Sequence, residues 1–435
     1  MMRRIFPDYA YGAGPRTNCW WDETCPAPVW PELDGTHHVD VAIIGGGFTG
    51  LSTALHLAEA GVDVAVIEAE TPGWGASGRN GGFCCLGGAK LGSAAMERLH
   101  GSRETQVYQA GEEEAVHLVD RLIARHGIEA DTHSDGETLM AHSAKARAAL
   151  LRDSQTSGAE FIDGPELAAR GLGGRFHGAL TTPVGFALNP RKYLFGLADA
   201  ARTAGADLYQ NTPALDVRHD TTGWHARTPK GRISAKRLVI ATNGYSSETI
   251  PAWLAGRYMP AQSTVMVTRP LTKDEQAAQG WTSAQMAYDT RHMLHYFRLM
   301  PDGRFLFGMR GGLMSSPRAE AKIRKLLRSH FDRLFPAWHG VETTHMWSGM
   351  VCLSRTLVPF VGPVPDHPGL FAGLCYHGNG VAMGSYAGRL LADLVQDKAP
   401  DVPYSQLLQR MPRFPLGRAR RLLMPPAYAV LGLMD

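Results

Sequence analysis

Cysteine is scarce in this chain: six among 435 residues, with no two in a Cys-x-x-Cys pair. That absence argues against a zinc ribbon or a dithiol redox couple and suggests reduced thiols, with the adjacent Cys84 and Cys85 lining a core or pocket. His-Glu-x-x-His, Gly-x-Ser-x-Gly and the lysine-bearing phosphate loop are all missing, which sets aside metalloprotease, serine-hydrolase and nucleoside-triphosphatase chemistry, and no metal is expected. No apolar run approaches eighteen residues, so no membrane span is expected. The opening Met1-Met-Arg-Arg-Ile-Phe-Pro-Asp8 has no apolar stretch behind its arginines; no signal peptide is expected, and the location is read as cytoplasmic. Charge of one sign is lacking too. Lys and Arg number 44 against 41 Asp and Glu, a balance that implies no nucleic-acid partner. What remains is an ordinary globular composition, 44% apolar and 20% charged, long enough for two domains.

The most informative stretch is Val39 to Gly50. An apolar run ends in Gly45-x-Gly47-x-x-Gly50, and Leu51 to Gly61 follows with helical spacing and a glycine stop. A second apolar run, Val62 to Ile67, then ends in Glu68. Strand, glycine turn, helix, strand and acid in this order make a dinucleotide-binding unit. Gly45 makes the tight turn, Gly47 lets the backbone approach a pyrophosphate, and Gly50 lets the helix sit close on the strand. The helix start at Phe48 and Thr49 offers free N–H groups and a positive dipole end to phosphates. Glu68 is placed to accept from ribose hydroxyls, and its charge repels a 2′-phosphate.

Gly73-Trp-Gly-Ala-Ser-Gly-Arg-Asn-Gly-Gly82 follows, a backbone suited to wrap a flat, phosphate-bearing ligand. The fingerprint's place near the N-terminus and the lack of a second one favour FAD over a nicotinamide cofactor. Gly378-Asn-Gly380 leads into a helix, but no strand with a terminal acid follows it.

Along the chain, residues 1–36 read as an irregular arm rich in Pro, Trp and Gly laid over the surface. Ala115, Leu118, Val119, Leu122 and Ile123 mark an amphipathic helix, and Asn189-Pro190 a capped helix start. Strands are expected at Asp207–Gln210, Arg237–Gly244, Ser263–Thr268, Arg304–Gly308 and Gly369–Tyr376. Ile323, Leu326, Leu327, Phe331 and Leu334 form another helical face, and Val381–Gln396 a last helix in the doubly wound part. The expected class is α/β + α+β, an FAD-binding doubly wound, Rossmann-like domain interleaved with an antiparallel-sheet substrate domain. The expected segments are 37–88, 149–248 and 350–400 for the first, 89–148 and 249–349 for the second, and 401–435 as a tail.

These motifs resemble the glutamylputrescine-oxidase-like branch of the D-amino-acid oxidase and sarcosine oxidase superfamily of FAD-dependent amine oxidoreductases. The resemblance runs over almost the whole length, through Gly45–Leu51, Gly73–Gly82, Ala241-Thr-Asn-Gly244, Tyr296-Phe-Arg298, Gly303–Gly308, Trp347-Ser-Gly349 and Gly373–Val381. It implies that Ser77, Arg79 and Asn80 lie along the pyrophosphate and Gly81-Gly82-Phe83 beside the isoalloxazine, with Gly75 and Ala76 also cofactor-binding. Ala69 would also bind the cofactor, the backbone around Ala214 would meet the adenine, and Thr242-Asn243-Gly244 would close over the nucleotide. Gly378, Asn379, Gly380 and Val381 would bring a helix N-terminus to the N1 and C2-carbonyl edge of the flavin. The family's Tyr-Ser-Gly-His-Gly-Val is here Tyr376-His-Gly-Asn-Gly-Val381. No cysteine matches the position of the covalent link in the sarcosine oxidase branch, Cys352 being offset, so the FAD is expected to be non-covalent.

The implied chemistry removes hydride from a carbon bearing an amine, giving an imine that hydrolyses to an aldehyde or oxo acid, with electrons passed to oxygen. Substrate would be a small amine or amino acid. Alternatives are a dehydrogenase serving a quinone or electron-transfer protein, and a flavoprotein acting on a macromolecule. Tyr296 and Arg298, two apart on a strand, share a face and are candidates to line the pocket, Arg298 as a carboxylate anchor or in a structural ion pair. His377, beside the flavin loop, is a candidate to bond substrate or cofactor, with a packing role as the alternative. His292 and His295 read as turn and edge-strand residues, and Trp347 as core. The tail's Arg413, Arg418, Arg420 and Arg421 precede an apolar stretch suited to a membrane surface, or to the protein's own surface or a partner subunit.

Overall fold

The computed structural model describes residues 3–312 and 314–434. Two eight-stranded sheets organise it. In the first, Phe360–Pro363, Leu370–Leu374, Gly231–Ile240, Gly35–Ile44, Val64–Ile67 and Asp207–Tyr209 lie side by side in that order. The inner pairs are parallel and in step: Ile44 is opposite both Ile240 and Ile67, and Ile240 is opposite Ala372. A hairpin, Asp216–Asp220 with Gly223–Arg227, branches from Gly231–Ile240.

Strand alternation decides which layer each residue joins. Val41, Ile43, Val64, Val66 and Val239 pack under the helices Phe48–Glu59, Ser102–His126, Pro190–Thr203 and Ala382–Val395. Ala42, Ile44, Ala65, Ile67, Leu238 and Ile240 face the opposite way, against Trp224, Trp253, Leu254 and Tyr258. Helix starts are fixed locally. Asn189 accepts from the N–H groups of Arg191 and Lys192, and Ser316 accepts from Ala319 ahead of the helix Pro317–Leu334.

The second sheet runs Thr343–Ser354, Tyr258–Pro270, Arg304–Arg310, His295–Leu299, Met286–Asp289, Glu137–Met140, Gly178–Thr182, Glu160–Asp163. Its pairs are antiparallel except Met286–Asp289 with Glu137–Met140. One face buries Trp281, Phe297, Phe305, Phe307, Phe331, Phe335 and Trp338 against the helix Pro317–Leu334. Each such ring contributes about 1.5–3 kcal/mol by its burial. The other face, with Ser263, Val265, Tyr296 and Arg310, looks across a cavity toward the fingerprint.

Domain membership departs from the sequence reading at two places. Glu160–Asp163 and Gly178–Thr182 lie in the second sheet, although 149–248 was assigned to the nucleotide domain. The helix Ser102–His126, assigned to the substrate domain, shares the core of Leu55, Leu197 and Leu391. An amphipathic segment shows which of its faces is buried, but not against which partner. His295 is on an inner strand of the second sheet, paired on both sides of its sequence neighbours, and not at an edge.

The arm is more than a surface strap. Trp21 and Trp30 are buried; Trp21 donates to the Asn80 carbonyl at 2.8 Å and meets Trp347 edge-on. In the tail, Arg420 is buried in an ion pair with Glu248 and donates to the Tyr258 carbonyl. The helix Met424–Met434 follows it.

Candidate active site

One continuous cavity runs between the sheets, from Glu68 and Ala214 to Tyr288 and Arg310. Its floor is the fingerprint. Gly45 has φ +112°, and a Cβ on Gly50 would lie 1.9 Å from the Gly45 carbonyl oxygen, so no other residue lets this helix start so close to its strand. The first turn of the helix carries no acid, which leaves its positive end for an anion. The Glu68 carboxylate accepts from the N–H of Gly46 at 2.8 Å and of Glu70 at 3.1 Å. Burial pushes this carboxyl up, and those donors oppose the shift.

Ser77 Oγ accepts from the Phe48 N–H at 3.0 Å, joining the glycine-rich stretch to the helix start. Arg79 donates to the carbonyls of Trp74 and Ser348 and lies over the rings of Trp74 and Tyr245. Its Nη2 is buried without a protein partner among the described residues. Asn80 lines the cavity, but its amide is used on the loop itself, donating to the Ala76 and Ser77 carbonyls and accepting from Gly82 N–H.

Of the expected cofactor residues, Gly45, Gly47, Phe48, Thr49, Glu68, Ala69, Gly75, Ala76, Ser77, Arg79, Asn80, Gly81, Phe83, Ala214, Thr242, Asn243 and Gly378–Val381 border the cavity. Gly50, Gly82 and Gly244 do not; they are close-packing positions against Gly45, Leu188 and Met350. The sequence reading missed Arg4 and Tyr11 of the arm, which also border it.

The loop before the helix Ala382–Val395 is held from several sides. Tyr376 and Thr49 share a hydroxyl hydrogen bond of 2.8 Å. Asn379 donates to the Cys85 and Leu86 carbonyls and accepts from the Cys85 thiol, which ties the loop to the segment after Phe83. His377 Nε2 accepts from the Ser354 N–H at 3.1 Å, and its Nδ1 donates to the Gly88 carbonyl at 2.7 Å. Burial lowers its pKa to about 4. His377 is therefore a neutral brace with both nitrogens occupied, and the candidate role in bonding substrate is not met by this geometry.

On the facing sheet, Tyr296 borders the cavity, its hydroxyl 2.9 Å from Ser263 Oγ and its ring edge-on to Phe83. Arg298 does not border it. The two residues do share a face, but one strand repeat is about 7 Å, enough to carry Arg298 past the cavity wall. There Arg298 donates to the Leu188 carbonyl and to His133 Nε2, between the rings of Trp21 and Phe83. Burial lowers its pKa to about 9. The cavity's arginine is instead Arg310, on the neighbouring strand two residues after Gly308, the register partner of Tyr296. Its guanidinium has no ion pair or hydrogen bond among the described residues. A Cβ on Gly378 would lie 2.4 Å from its Nη2 and would have to displace the guanidinium, and the φ of +103° there strains any other residue. The signal in the sequence was a strand arginine followed by Gly311-Gly312.

Tyr288 and Lys90 were also missed. Tyr288 borders the cavity and donates to Glu137 Oε1 at 2.8 Å; Leu86 N–H donates to the other oxygen. Burial raises Glu137 to about 7. Among the described residues no group of three or more His, Cys, Asp or Glu could hold a metal ion, and no helix is long and apolar enough to cross a membrane.

A family model described as FAD dependent oxidoreductase matches residues 40–394. The chain belongs to the FAD dependent oxidoreductase family. Gamma-glutamylputrescine oxidoreductase of Escherichia coli (strain K12) is 30% identical over 392 residues, 89% of each chain. Probable oxidoreductase OrdL of Rhizobium meliloti (strain 1021) is 33% identical over 431 residues, 96% of this chain and 97% of the other. The crystal structure of glycine oxidase from Geobacillus kaustophilus shares the fold, with TM-score 0.70 at 22% identity over 87% of this chain and 100% of that one. The site of this oxidoreductase fits FAD on its own evidence. Glu68 presents a carboxylate at the ribose position, the acid-free helix start faces the cavity, and Arg79 keeps an unpartnered N–H for an anion.

Proposed function

We propose that this oxidoreductase oxidises the C–N bond of a small amine or amino acid, with FAD bound non-covalently and oxygen or another acceptor taking the electrons. The observation that carries the reading is a cavity continuous from the fingerprint to a wall of Arg310, Tyr296 and Tyr288. Bound there, FAD would accept the hydride and pass the electrons on.

The chain's own groups do the rest. Arg310, a cation without an ion pair or hydrogen bond among the described residues, anchors a substrate carboxylate. Tyr288 donates its hydrogen bond to Glu137, so the lone pairs of its oxygen are left to accept from the substrate's ammonium. The ammonium proton passes to Tyr288 Oη as the Tyr288 proton moves to Glu137 Oε1, leaving the neutral amine that hydride transfer requires. Phe83, Tyr296 and the loop at His377 form apolar or fully bonded walls that keep water from competing. Cys85 and Cys352 both border the cavity, but Cys85 is bonded to Asn379 and Cys352 Sγ lies 3.5 Å from Cys375 Sγ, so both thiols are engaged within the protein.

The relatives' names favour this class: one acts on gamma-glutamylputrescine and another on glycine. Anaerobic addition of an amine panel should bleach the bound flavin with at least one member. Failure of every amine and amino acid to do so would overturn the reading.

A further inference from the structure

Arg310 is not the only cation at the substrate end of the cavity. Lys90 borders the same cavity, and its ammonium makes no ion pair or hydrogen bond among the described residues. The backbone N–H of Lys90 is fixed on the Leu357 carbonyl at 2.7 Å, so its side chain starts from a defined place. The two cations are close enough to repel. Surrounding protein and then Arg310 push the Lys90 ammonium down to about 7. His377, between Gly88 and Ser354, feels both charges as well.

Among the described residues no carboxylate borders this end of the cavity. The acids bordering the cavity are Glu68 and Glu70; Glu68 is bonded at Gly46, and Glu70 has Arg4 and Arg79 as its charged neighbours. Glu112, the one carboxylate whose charge favours the Lys90 ammonium, does not border the cavity and lies beside Tyr108. The polar groups beside Arg310 are neutral: Tyr296, Cys85, Tyr288 and Tyr428 of the helix Met424–Met434. Two like charges facing one space cost free energy, so Lys90 gives up its proton near pH 7 unless a ligand supplies the opposite charge and holds it on. One carboxylate satisfies Arg310. A second negative group is needed for Lys90.

We propose that Lys90 and Arg310 select a substrate bearing two carboxylates, an acidic amine whose second carboxylate Lys90 holds. This rests on the amine-oxidation reading above and names its substrate class. Lys90 is then the specificity-determining residue and Arg310 the general anchor.

The test is a titration of the FAD-loaded protein with malonate, succinate, glutarate and adipate against acetate to valerate. It is followed by perturbation of the flavin spectrum and by thermal shift. At least one dicarboxylate should bind about ten-fold or more tightly than every monocarboxylate, the factor expected of one added charge-assisted pair. Lys90→Met should bring that dicarboxylate to the monocarboxylate level while leaving monocarboxylate binding within about two-fold, and Lys90→Arg should restore the preference. Arg310→Met should weaken both classes. Equal binding of the two classes by wild type, or a preference that survives in Lys90→Met, overturns the proposal. The two failures are separable. Flavin bleached by a monocarboxylic amino acid with no dicarboxylate preference leaves amine oxidation standing without this selectivity. A dicarboxylate preference with no bleaching by any amine leaves the anion site standing without the chemistry.

Discussion

Tyr288, which borders the cavity, donates a hydrogen bond across 2.8 Å to Glu137, which does not. The pair is a buried acid with an outward-facing phenol. Its consequence is a pH dependence. Burial places Glu137 near 7, so below that pH it holds its own proton and cannot receive another. The expected kcat/KM profile therefore falls tenfold per pH unit on its acid side below about 7. Glu137→Gln should abolish that limb together with most turnover, and Tyr288→Phe should lower kcat while FAD stays bound. An unchanged acid limb in Glu137→Gln would assign the titration elsewhere.

The two arginines of the second sheet should separate cleanly. Arg310→Met should raise KM for a carboxylate substrate by the equivalent of about 2–4 kcal/mol and leave the melting temperature close to wild type. Arg298→Met should do the reverse. It strips a donor from the buried Leu188 carbonyl and from His133, costing about 1–3 kcal/mol of stability. Steady-state kinetics and thermal unfolding on both variants decide the matter.

Cofactor retention tests the fingerprint. Glu68→Arg removes the ribose acceptor and replaces it with a cation, so purified protein should carry much less FAD. In wild type, acid precipitation should leave the yellow colour in the supernatant. Colour in the pellet would reveal a covalent link.

Gly380 and Gly378 should respond differently to enlargement. A Cβ at Gly380 meets no protein atom closer than 3.8 Å, because it projects into the cavity. Gly380→Val should fold with a near-normal melting temperature yet lose FAD. Gly378 has φ +103° and Arg310 against it, so Gly378→Val should destabilise the protein as well. Melting curves with and without added FAD distinguish the two.

No histidine limb is expected in the pH profile between 6 and 7. His377 is held neutral with a pKa of about 4, and His377→Gln should change cofactor affinity without moving the acid limb. A shift of that limb in His377→Gln would restore the histidine to the proton path.

Much of this was legible because it is local. The turn at Gly45, the helix after it and the acid at Glu68 lie within one short segment, and each has a sequence signature that depends only on its neighbours. The cap at Asn189 and the face of Ala115, Leu118, Val119 and Leu122 are local in the same sense. What was illegible depended on distance along a strand or on pairing between distant segments. Alternation put Tyr296 and Arg298 on one face correctly, but only the register with Gly308 shows that Arg310 reaches the cavity. Likewise the partner of Glu137 is Tyr288, 151 positions away, and no spacing rule joins them. Trp21 and Arg420 looked like surface residues because their partners, Trp347 and Glu248, are remote in sequence.

The first sheet has a consequence for how the molecule is made. Its strand Leu370–Leu374 lies directly beside Gly231–Ile240, and the Cys375 N–H is held by Asn243 Oδ1. The pieces that would grip FAD are thus split between the start of the chain and nearly its end. At ribosomal speeds of about 5–20 residues per second, tens of seconds separate the synthesis of Gly45 from that of Val381. From the synthesis of Ile240 to that of Leu370, the later part of that interval, the nascent polypeptide displays an unfinished parallel sheet with an open edge at Gly231–Ile240. A cell limited in flavin or chaperone supply would lose this enzyme during biosynthesis, as aggregated or degraded chains, before any finished molecule had the chance to shed its cofactor.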